Sequence, residues 1–434
     1  MIFPKKHISN PRFNLLFKTL SVLILRVLGV TLLFGVTLFL TNNFSASLIG
    51  KYDFVRSFLL VFGSLTLLGT EHSILYFAGK LNGVKEKQHI KSIYIKMISL
   101  IFMAYLVLTT IVFLLNKEFI NSFFNDLDTY FLIFNTTMII FFYSISILNF
   151  EVLRTLNYTT LSELYRNIIK YLPFFLGAIL INYLEENQLL INVYLIGFIL
   201  IGIISTYQVF NKFKKSAAKP NNYIGMTEVF KKSYPMAISG MAFFLLQSID
   251  VLFLKKYTNN QTIAYYSVAV KFVLIIALVI NAININIASK IAELYTLKKI
   301  IELKKILNQG TKFMFIGSLI LCILIVTFSS QILSFFGEEY IASETALKIM
   351  VLSQGVCSFF GSTAVYLNMT GKQKQFQNIL TVAVLINFIL NFYLIPIYGM
   401  VGAAISFSFS LFFWNILSVI IIYKKDRILM LGWL

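Results

Sequence analysis

Several ionisable residues stand inside long apolar runs of the sequence, where a charged side chain has few partners. Arg26 lies about 12 Å from one end of the first run, and Lys271 about 13 Å from one end of the eighth, at 1.5 Å per helical residue. Glu71 is similarly deep in the second run. These depths approach the middle of a roughly 30 Å hydrocarbon core, where ionisable groups are costly. We therefore expect the three side chains to face a central cavity, the alternative being structural ion pairs between helices.

Arg56 and Asp250 are shallower, only about a helical turn from the ends of their apolar runs. Long charged side chains at such positions usually extend to the membrane interface, and a cavity role is the second interpretation. Asp250 and Lys271 stand on consecutive runs and could form an ion pair, as could Arg26 and Glu71.

Carboxamide side chains form a second polar set within the apolar runs. Gln247 stands in the seventh run, Asn284 in the eighth, and Asn387 and Asn391 in the eleventh. Such side chains often hydrogen-bond neighbouring membrane helices to one another. Cavity lining and helix packing both stay open as their role.

The balance of these charges indicates the chemistry of a ligand. Lysine and arginine pair with phosphate groups, so a cavity holding Arg26, Lys271 and Arg56 suits an anionic substrate such as a lipid-linked pyrophosphate. A cationic drug would instead require a predominantly acidic cavity. Glu71 and Asp250 are the candidates for pairing with the cations or accepting a coupling ion.

The elements that must carry these residues are membrane helices. Of the 434 residues, 58% are hydrophobic and 13% are charged, which is about half the charged share of a soluble protein. The apolar runs between residues 19 and 422 lack the alternation of strands, and only helices or closed barrels satisfy the backbone in lipid. The composition excludes a soluble enzyme, a disordered protein and a coiled coil.

We predict an all-α integral membrane protein of about twelve transmembrane helices. Residues 1–210 form one six-helix bundle, 211–232 a cytoplasmic linker, and 233–434 a second six-helix bundle. The segments IGKYDFVR and IAYYSVAVK each open the second span of their half. This local similarity predicts a parallel repeat with a pseudo-two-fold axis along the membrane normal.

The formal net charge of +19 reports orientation in the membrane. The 37 lysines and arginines concentrate at both chain ends and in alternate connections, whereas the intervening connections are short and richer in acids. Because basic residues stay on the cytoplasmic side, we predict that both termini are cytoplasmic. The charge then does not indicate nucleic acid as a partner.

No cofactor and no metal site are predicted. Cys322 and Cys357 are isolated in apolar segments, and the sequence contains no P-loop. Energy coupling would use an ion gradient, a partner or the substrate gradient, and the sequence leaves open whether H⁺ or Na⁺ is the coupling ion. The short outer connections disfavour a membrane polysaccharide polymerase or ligase, which usually needs a large outer loop.

Motifs in both halves resemble one family of membrane proteins. Their segments read LRVLGV around Arg26, ASLIGKYDFVRSF, SYPMAISGMAFFLLQSIDVLFLKKY, ILSFFGEEYIASETALKIM and YLNMTGKQKQFQNILTVAVLINFILNFYLIPIYGMVGAAIS. This order resembles the Wzx-like polysaccharide-biosynthesis flippases of the multidrug/oligosaccharidyl-lipid/polysaccharide exporter superfamily. The resemblance covers nearly the whole chain.

The resemblance implies two bundles around a V-shaped cavity and a transporter without catalytic residues. It implies alternating access that moves undecaprenyl-pyrophosphate-linked oligosaccharide units from the cytoplasmic to the outer (periplasmic) leaflet of the bacterial cytoplasmic (inner) membrane, for O-antigen, capsule or another surface polysaccharide. We hypothesise that Arg26 and Lys271, with Arg56, bind the pyrophosphate or acidic sugars, and that Glu71 or Asp250 couples transport to ion movement.

The same resemblance indicates partners and rivals. Membrane lipids, a polysaccharide polymerase and chain-length proteins are the expected partners besides the lipid-linked oligosaccharide. A cation/drug antiporter of the same superfamily and a lipid II flippase are the alternative functions.

Overall fold

The computed structural model describes residues 11–80, 87–213 and 224–430, and within these ranges the chain is helical without a strand. A helix that is apolar on every side is stable in lipid because all its backbone groups bond within the segment. The helices, numbered in chain order, are α1 (Pro11–Asn43), α2 (Ala46–Leu67), α3 (Thr70–Lys80), α4 (Lys87–Leu114), α5 (Lys117–Phe124), α6 (Thr129–Thr155), α7 (Thr159–Asn167), α8 (Leu172–Tyr183), α9 (Leu190–Phe213), α10 (Met226–Tyr257), α11 (Asn260–Thr296), α12 (Ile300–Thr327), α13 (Ser329–Ser334), α14 (Glu344–Cys357), α15 (Thr363–Met369) and α16 (Gln373–Asp426).

Within the described residues, eight stretches are long and apolar enough to cross a bilayer. Three further spans each consist of two helical pieces that meet at a bend of 42° to 45°. These are α2 with α3, the two parts of α10 on either side of Ser239, and residues 338–360 with α15. The bend after α2 falls at Leu68 and Gly69, whose φ angles are +50° and +73°.

The last helix, α16, is two spans rather than one. A straight helix of 54 residues would be about 80 Å long, far more than the bilayer core. At Gly399 the backbone leaves the helical region, with φ 54° and ψ −130°. A Cβ added to Gly402 would overlap the main-chain carbonyl of Leu394, so the chain folds back on itself here. We call the two parts α16a (373–398) and α16b (400–426).

Counting α16a and α16b separately gives twelve spans within the described ranges. The predicted all-α membrane fold of about twelve helices is therefore confirmed. The described part of the predicted linker 211–232 is helical at both ends, because α9 continues to Phe213 and α10 begins at Met226. Residues 214–223 of that linker lie outside the described residues.

The two halves, α1–α9 and α10–α16, share one apolar core at one end and have separate cores at the other. We call the face where α1 ends and α2 begins the distal face, and the opposite one the proximal face. Near the distal face one buried cluster joins Leu40 and Ile49 of the first half to Leu254 and Ile263 of the second. Towards the proximal face the buried residues form two separate clusters, one from the first half together with Val229 of α10 and one from the second half. The halves therefore pack together distally and leave a cavity between them further in.

The halves also touch proximally where two bent spans cross. Gly69, at the bend between α2 and α3, lies so close to α10 that an added Cβ would overlap backbone atoms of Ser233 and Ala237. The hydroxyl groups of Ser73 and Ser233 are 2.6 Å apart. The two halves are therefore also in contact where α3 crosses α10.

Candidate functional site

A central cavity of about 580 Å³ lies between the two halves. Its walls come from α1, α2, α10, α11, α14, α15 and α16b. The cavity extends from the level of Lys271 towards the proximal face, where Ala288 and Met369 line it. The sequence-predicted residues that line it are Arg26, Arg56, Lys271, Gln247 and Asn284.

Helix α11 supplies the longest wall of the cavity. Residues three or four positions apart share one face of a helix, and the lining residues of α11 follow that spacing from Ser267 through Lys271 and Asn284 to Ala288. For this reason Lys271, Asn281 and Asn284 all line the same cavity, although 13 positions separate the first from the last. The rest of the wall is largely apolar, with Trp414 of α16b among the lining side chains.

Arg26 is held by an acid of its own half. Its Nε donates to Glu163 Oε2 at 3.0 Å and its Nη2 to Glu163 Oε1 at 2.9 Å. Asn167 Nδ2 donates to the same carboxylate at 3.0 Å. The predicted pairing of Arg26 with Glu71 is therefore wrong. The reason is local packing: Gly29 lets α1 approach α7 so closely that an added Cβ would lie 2.6 Å from the Cβ of Asn167.

Lys271 and Arg56 share a different acid, Asp53. The Nζ of Lys271 is 3.5 Å from Asp53 Oδ1, and the Nη1 of Arg56 is 3.7 Å from the same oxygen. The side chains of Lys271 and Asp53 are 4% and 1% exposed, whereas Arg56 is one-quarter exposed. The predicted pairing of Lys271 with Asp250 is wrong, since close packing of α2 on α11 brings Asp53 to the lysine instead.

Asp250 belongs to a buried polar cluster behind the cavity wall. Asn391 Nδ2 donates to Asp250 Oδ1 at 2.6 Å and to Asn387 Oδ1 at 3.0 Å. The hydroxyl of Tyr266 donates to Asp250 Oδ2 at 2.8 Å. The structure thus brings three predicted residues together, but none of them lines the cavity.

Glu71 lies outside the cavity as well, at the crossing of α3 and α10. Its side chain is buried, and its Oε1 is 3.6 Å from His72 Nε2. Among the described residues, its Oε2 has no hydrogen-bond partner. A Cβ added to Gly240 of α10 would lie 3.2 Å from Glu71 Oε1, so the carboxyl group faces the second half.

Two functional candidates, Asp53 and Glu163, were missed by the sequence reasoning. Asp53 had a usable signal, because it precedes Arg56 by one helical turn, a spacing at which opposite charges pair. Glu163 had a weaker signal, since α7 reads TTLSELYRN and resembles a surface helix more than part of a cavity wall.

The charged lining of the cavity is cationic. Within the described part of the chain, its charged residues are Arg26, Arg56 and Lys271, and the carboxylates that hold them lie behind the wall. Such a surface suits phosphate or carboxylate oxygens, which arginine and lysine bind with charge-assisted hydrogen bonds. No group of three or more His, Cys, Asp or Glu residues placed to hold a metal ion occurs in the described ranges.

Residues 235–393 match the family model named MatE. This matched segment contains most of the predicted polar residues, namely Gln247, Asp250, Lys271, Asn284, Asn387 and Asn391. A curated relative, the capsular polysaccharide biosynthesis protein CapF of Staphylococcus aureus, is 28% identical over 214 residues. The alignment covers 47% of this chain and 52% of CapF, so it spans about half the length of that relative.

Solved transporters share the fold of the whole chain. The lipid II flippase MurJ in an inward closed conformation matches with a TM-score of 0.72, 16% identity and coverage of 94% of this chain and 87% of that one. The multidrug transporter DinF-BH matches with a TM-score of 0.67, 15% identity and coverage of 100% of this chain and 98% of that one.

A third solved structure also shares the fold. It is a transporter of the MOP superfamily from Pyrococcus furiosus, described as having a binding pocket of reversed polarity that suggests a different function. It matches with a TM-score of 0.62, 15% identity and coverage of 95% of each chain. At these identities the three structures establish the fold alone. Together with the MatE match and the similarity to CapF, this shared fold confirms the predicted resemblance to the superfamily. The solved proteins that share its fold are described as a lipid II flippase and multidrug transporters.

Proposed function

We propose that this protein is a flippase that moves undecaprenyl-pyrophosphate-linked oligosaccharide units across the bacterial cytoplasmic membrane, for the synthesis of a surface polysaccharide. The observation that carries the proposal is the cavity wall, whose described charged residues are all cations. The name of CapF, a capsular polysaccharide biosynthesis protein, points to the same substrate class.

In this proposal the three cations bind the pyrophosphate or acidic sugars. Arg26 and Arg56 each expose about a quarter of their side chain, so an anion in the cavity can reach them. Gln247 and Asn284 also line the cavity and would hydrogen-bond to sugar hydroxyl groups. A positively charged wall next to apolar surface fits a ligand with a charged head group and a lipid tail.

The shared distal core and the separate proximal cores support an alternating-access cycle. Positive-inside orientation would place the proximal face in the cytoplasm, with both chain termini there. Substrate would enter from the cytoplasmic leaflet and leave to the outer leaflet after the distal contacts open. A polysaccharide polymerase and chain-length proteins would use the product.

Coupling to an ion gradient would involve Asp250 or Glu71. The cluster of Asp250, Asn387 and Asn391 contains polar atoms without a partner among the described residues, Asn387 Nδ2 and Asn391 Oδ1. Glu71 also has such a buried oxygen, at a contact between the halves. Comparing transport driven by H⁺ with transport driven by Na⁺ in Asp250→Asn and Glu71→Gln variants would assign the coupling group and the ion. Equal coupling in both variants and the parent would eliminate both acids.

A lipid II flippase is the second candidate, because MurJ shares the fold over 94% of this chain. The fold alone does not separate the two, since both substrates carry a lipid pyrophosphate. A strain depleted of its lipid II flippase separates them: growth restored by this protein would support lipid II, and continued lysis would support the oligosaccharide substrate.

The drug antiporter has the weaker support, even though DinF-BH shares the fold. A cationic drug needs acidic partners, and the described lining of this cavity offers cations. Expression in a drug-sensitive strain should leave the accumulation of a cationic dye unchanged. Active dye extrusion would favour the antiporter instead.

The proposal is tested by complementing a deletion strain and measuring surface polysaccharide. Arg26→Gln and Lys271→Gln should abolish the polymer while the protein still reaches the membrane. Lys290→Gln is a matched control, because Lys290 is an exposed lysine of α11 outside the cavity lining. Normal polymer in both cavity variants would contradict the assignment.

A further inference from the structure

Asp53 lies where the cations of the two halves meet. It stands on α2 together with Arg56, whereas Lys271 belongs to α11 of the second half. Both cations approach the same oxygen, Oδ1, at 3.7 and 3.5 Å. The other oxygen, Oδ2, is buried without a hydrogen-bond partner among the described residues. Asp53 itself does not line the cavity, but both of its cations do.

Asp53 neutralises only part of the positive charge of Arg56 and Lys271. Charge-assisted N–H···O bonds are usually about 2.7–2.9 Å long, so both contacts here are loose. One carboxylate carries one negative charge, and the two cations together carry two positive charges. A net positive charge therefore remains at the cavity wall. A more highly charged anion can replace Asp53 as the partner of Arg56 and Lys271.

The Lys271–Asp53 ion pair is also a bridge between the two halves. Gly50 lies one helical turn before Asp53, and α2 and α11 are so close there that a Cβ on Gly50 would overlap the carbonyl oxygen of Asn260. The bridge thus sits next to the tight distal packing. The Arg26–Glu163 pair differs, because both residues belong to the first half and their bonds are short, at 2.9 and 3.0 Å.

We propose that Asp53 is an internal counter-anion that occupies the cations in the empty carrier and is displaced by the anionic group of the substrate. While Asp53 is bound, it ties α2 to α11 and keeps the distal side closed. When a substrate phosphate takes Arg56 and Lys271, the bridge is released and the distal side can open. This inference rests on the proposed function, since it assigns that anion to the substrate.

Spin labels across the distal face test the bridge without any lipid substrate. Labels on Glu186→Cys and Glu338→Cys report on the separation of the halves, as both positions lie on distal connections of different halves. Cys322 and Cys357 are buried and stay unlabelled. Pulsed electron paramagnetic resonance should show a population with longer distances in Asp53→Asn without ligand. Glu163→Gln is the matched control, since it removes one buried acid beside a cavity cation within a single half, and its distances should match the parent.

The binding of inorganic pyrophosphate separates a bridge from a general loss of structure. Trp414 lines the cavity, so its fluorescence in a Trp433→Phe background reports on occupancy. Removing a negative charge beside the cations should tighten binding in Asp53→Asn by about tenfold, a modest part of the Coulomb energy at these distances. Lys271→Gln removes the other end of the same bridge, so it should also lengthen the distal distances but should weaken binding by about tenfold.

The outcomes test separately the role of Asp53 as a bridge and its role as a counter-anion. Parent-like distances in both Asp53→Asn and Lys271→Gln, or an equal lengthening in Glu163→Gln, would overturn the role of Asp53 as a bridge. Unchanged or weaker pyrophosphate binding in Asp53→Asn would overturn its role as a counter-anion. Because neither readout uses the oligosaccharide, the flippase assignment could fail while both results hold, and the reverse is equally possible.

Discussion

Replacing Lys255 with methionine should loosen the distal contact between the halves. The side chain of Lys255, at the end of α10, is 2% exposed, and its ammonium group forms an ion pair with Asp126, in the connection between α5 and α6. It also donates to Asn260 Oδ1 at 2.7 Å. Lys255 therefore joins the beginning of α11 to the first half, and methionine removes the charge while keeping most of the volume.

The size of the effect follows from the burial of the two partners. Losing one member of a fully buried ion pair costs about 3–5 kcal/mol. Asp126 is 21% exposed and regains some hydration when it is alone, so we expect about 2 kcal/mol for opening the contact. That free energy corresponds to an increase of about 30-fold in the opening equilibrium.

Hydrogen–deuterium exchange of peptides covering residues 124–130 and 255–263 measures this opening. In Lys255→Met their slow amides should exchange about 30-fold faster. Lys256→Met is the matched control, because the neighbouring Lys256 lies 3.7 Å above the ring of Phe123 without a carboxylate partner among the ion pairs of the described residues. A cation–π contact at a partly exposed site contributes about 0.5–1 kcal/mol, so the control should change exchange only about two- to fivefold.

Equal exchange in the two lysine variants would refute the reasoning. It would mean that the buried ion pair contributes no more than the exposed contact, and that apolar packing alone holds the distal face closed.

Three further results follow from the same structure. Gly50→Ala should destabilise the distal packing of α2 on α11 by about 1–3 kcal/mol, the usual cost of overpacking, and speed amide exchange there. Gly402→Ala should lower the melting temperature, because its Cβ would overlap a carbonyl of α16a; Gly35→Ala, which has open space, should not. Burial raises the pKa of Asp126, but hydrogen bonds from Lys255 and from the Asp128 amide outweigh it and lower that pKa below its usual 3.8. The stability that Asp126 contributes is therefore present above its usual pKa and is lost only as the pH falls through its lowered pKa. Distal exchange, corrected for intrinsic rates, should stay constant between about pH 5 and 8.

The helical architecture could be predicted from the sequence because apolar length alone requires it. A run of about 20 apolar residues in lipid has to be a helix, so the number of spans followed from counting. The bends at Gly69 and the reversal at Gly399 are set by single residues and by packing against other helices. These details do not appear in hydropathy.

The cavity cations could be found from their depth, but their partners could not. Depth along a helix is read from sequence, so Arg26 and Lys271 were identified. Pairing depends on how close two helices come, and glycines decide this: Gly29 admits α7 to α1, and Gly50 admits α11 to α2. The acids that the sequence offers as possible partners, Glu71 and Asp250, are therefore not the ones that the two cations contact.

The polar clusters show the same limit. Asp250 and Asn391 were both singled out as polar residues in spans, and they do meet at 2.6 Å. The side of the helix on which they meet follows from the crossing of α10 and α16a. This crossing places Asp250 and Asn391 behind the cavity wall. Their position supports a role in helix packing, and a role in ion binding has still to be tested.

The central claim is that the cationic cavity carries an anionic lipid-linked sugar. The most direct measurement uses purified protein in liposomes that contain a fluorescent polyprenyl-pyrophosphate-linked sugar, with loss of signal on adding an external quencher. The parent protein should move the lipid from the inner to the outer leaflet, and Lys271→Gln should reduce the rate by at least about tenfold, the effect of losing roughly 1.4 kcal/mol of binding. Equal rates in the two proteins, or movement of a cationic dye in place of the pyrophosphate lipid, would contradict the account.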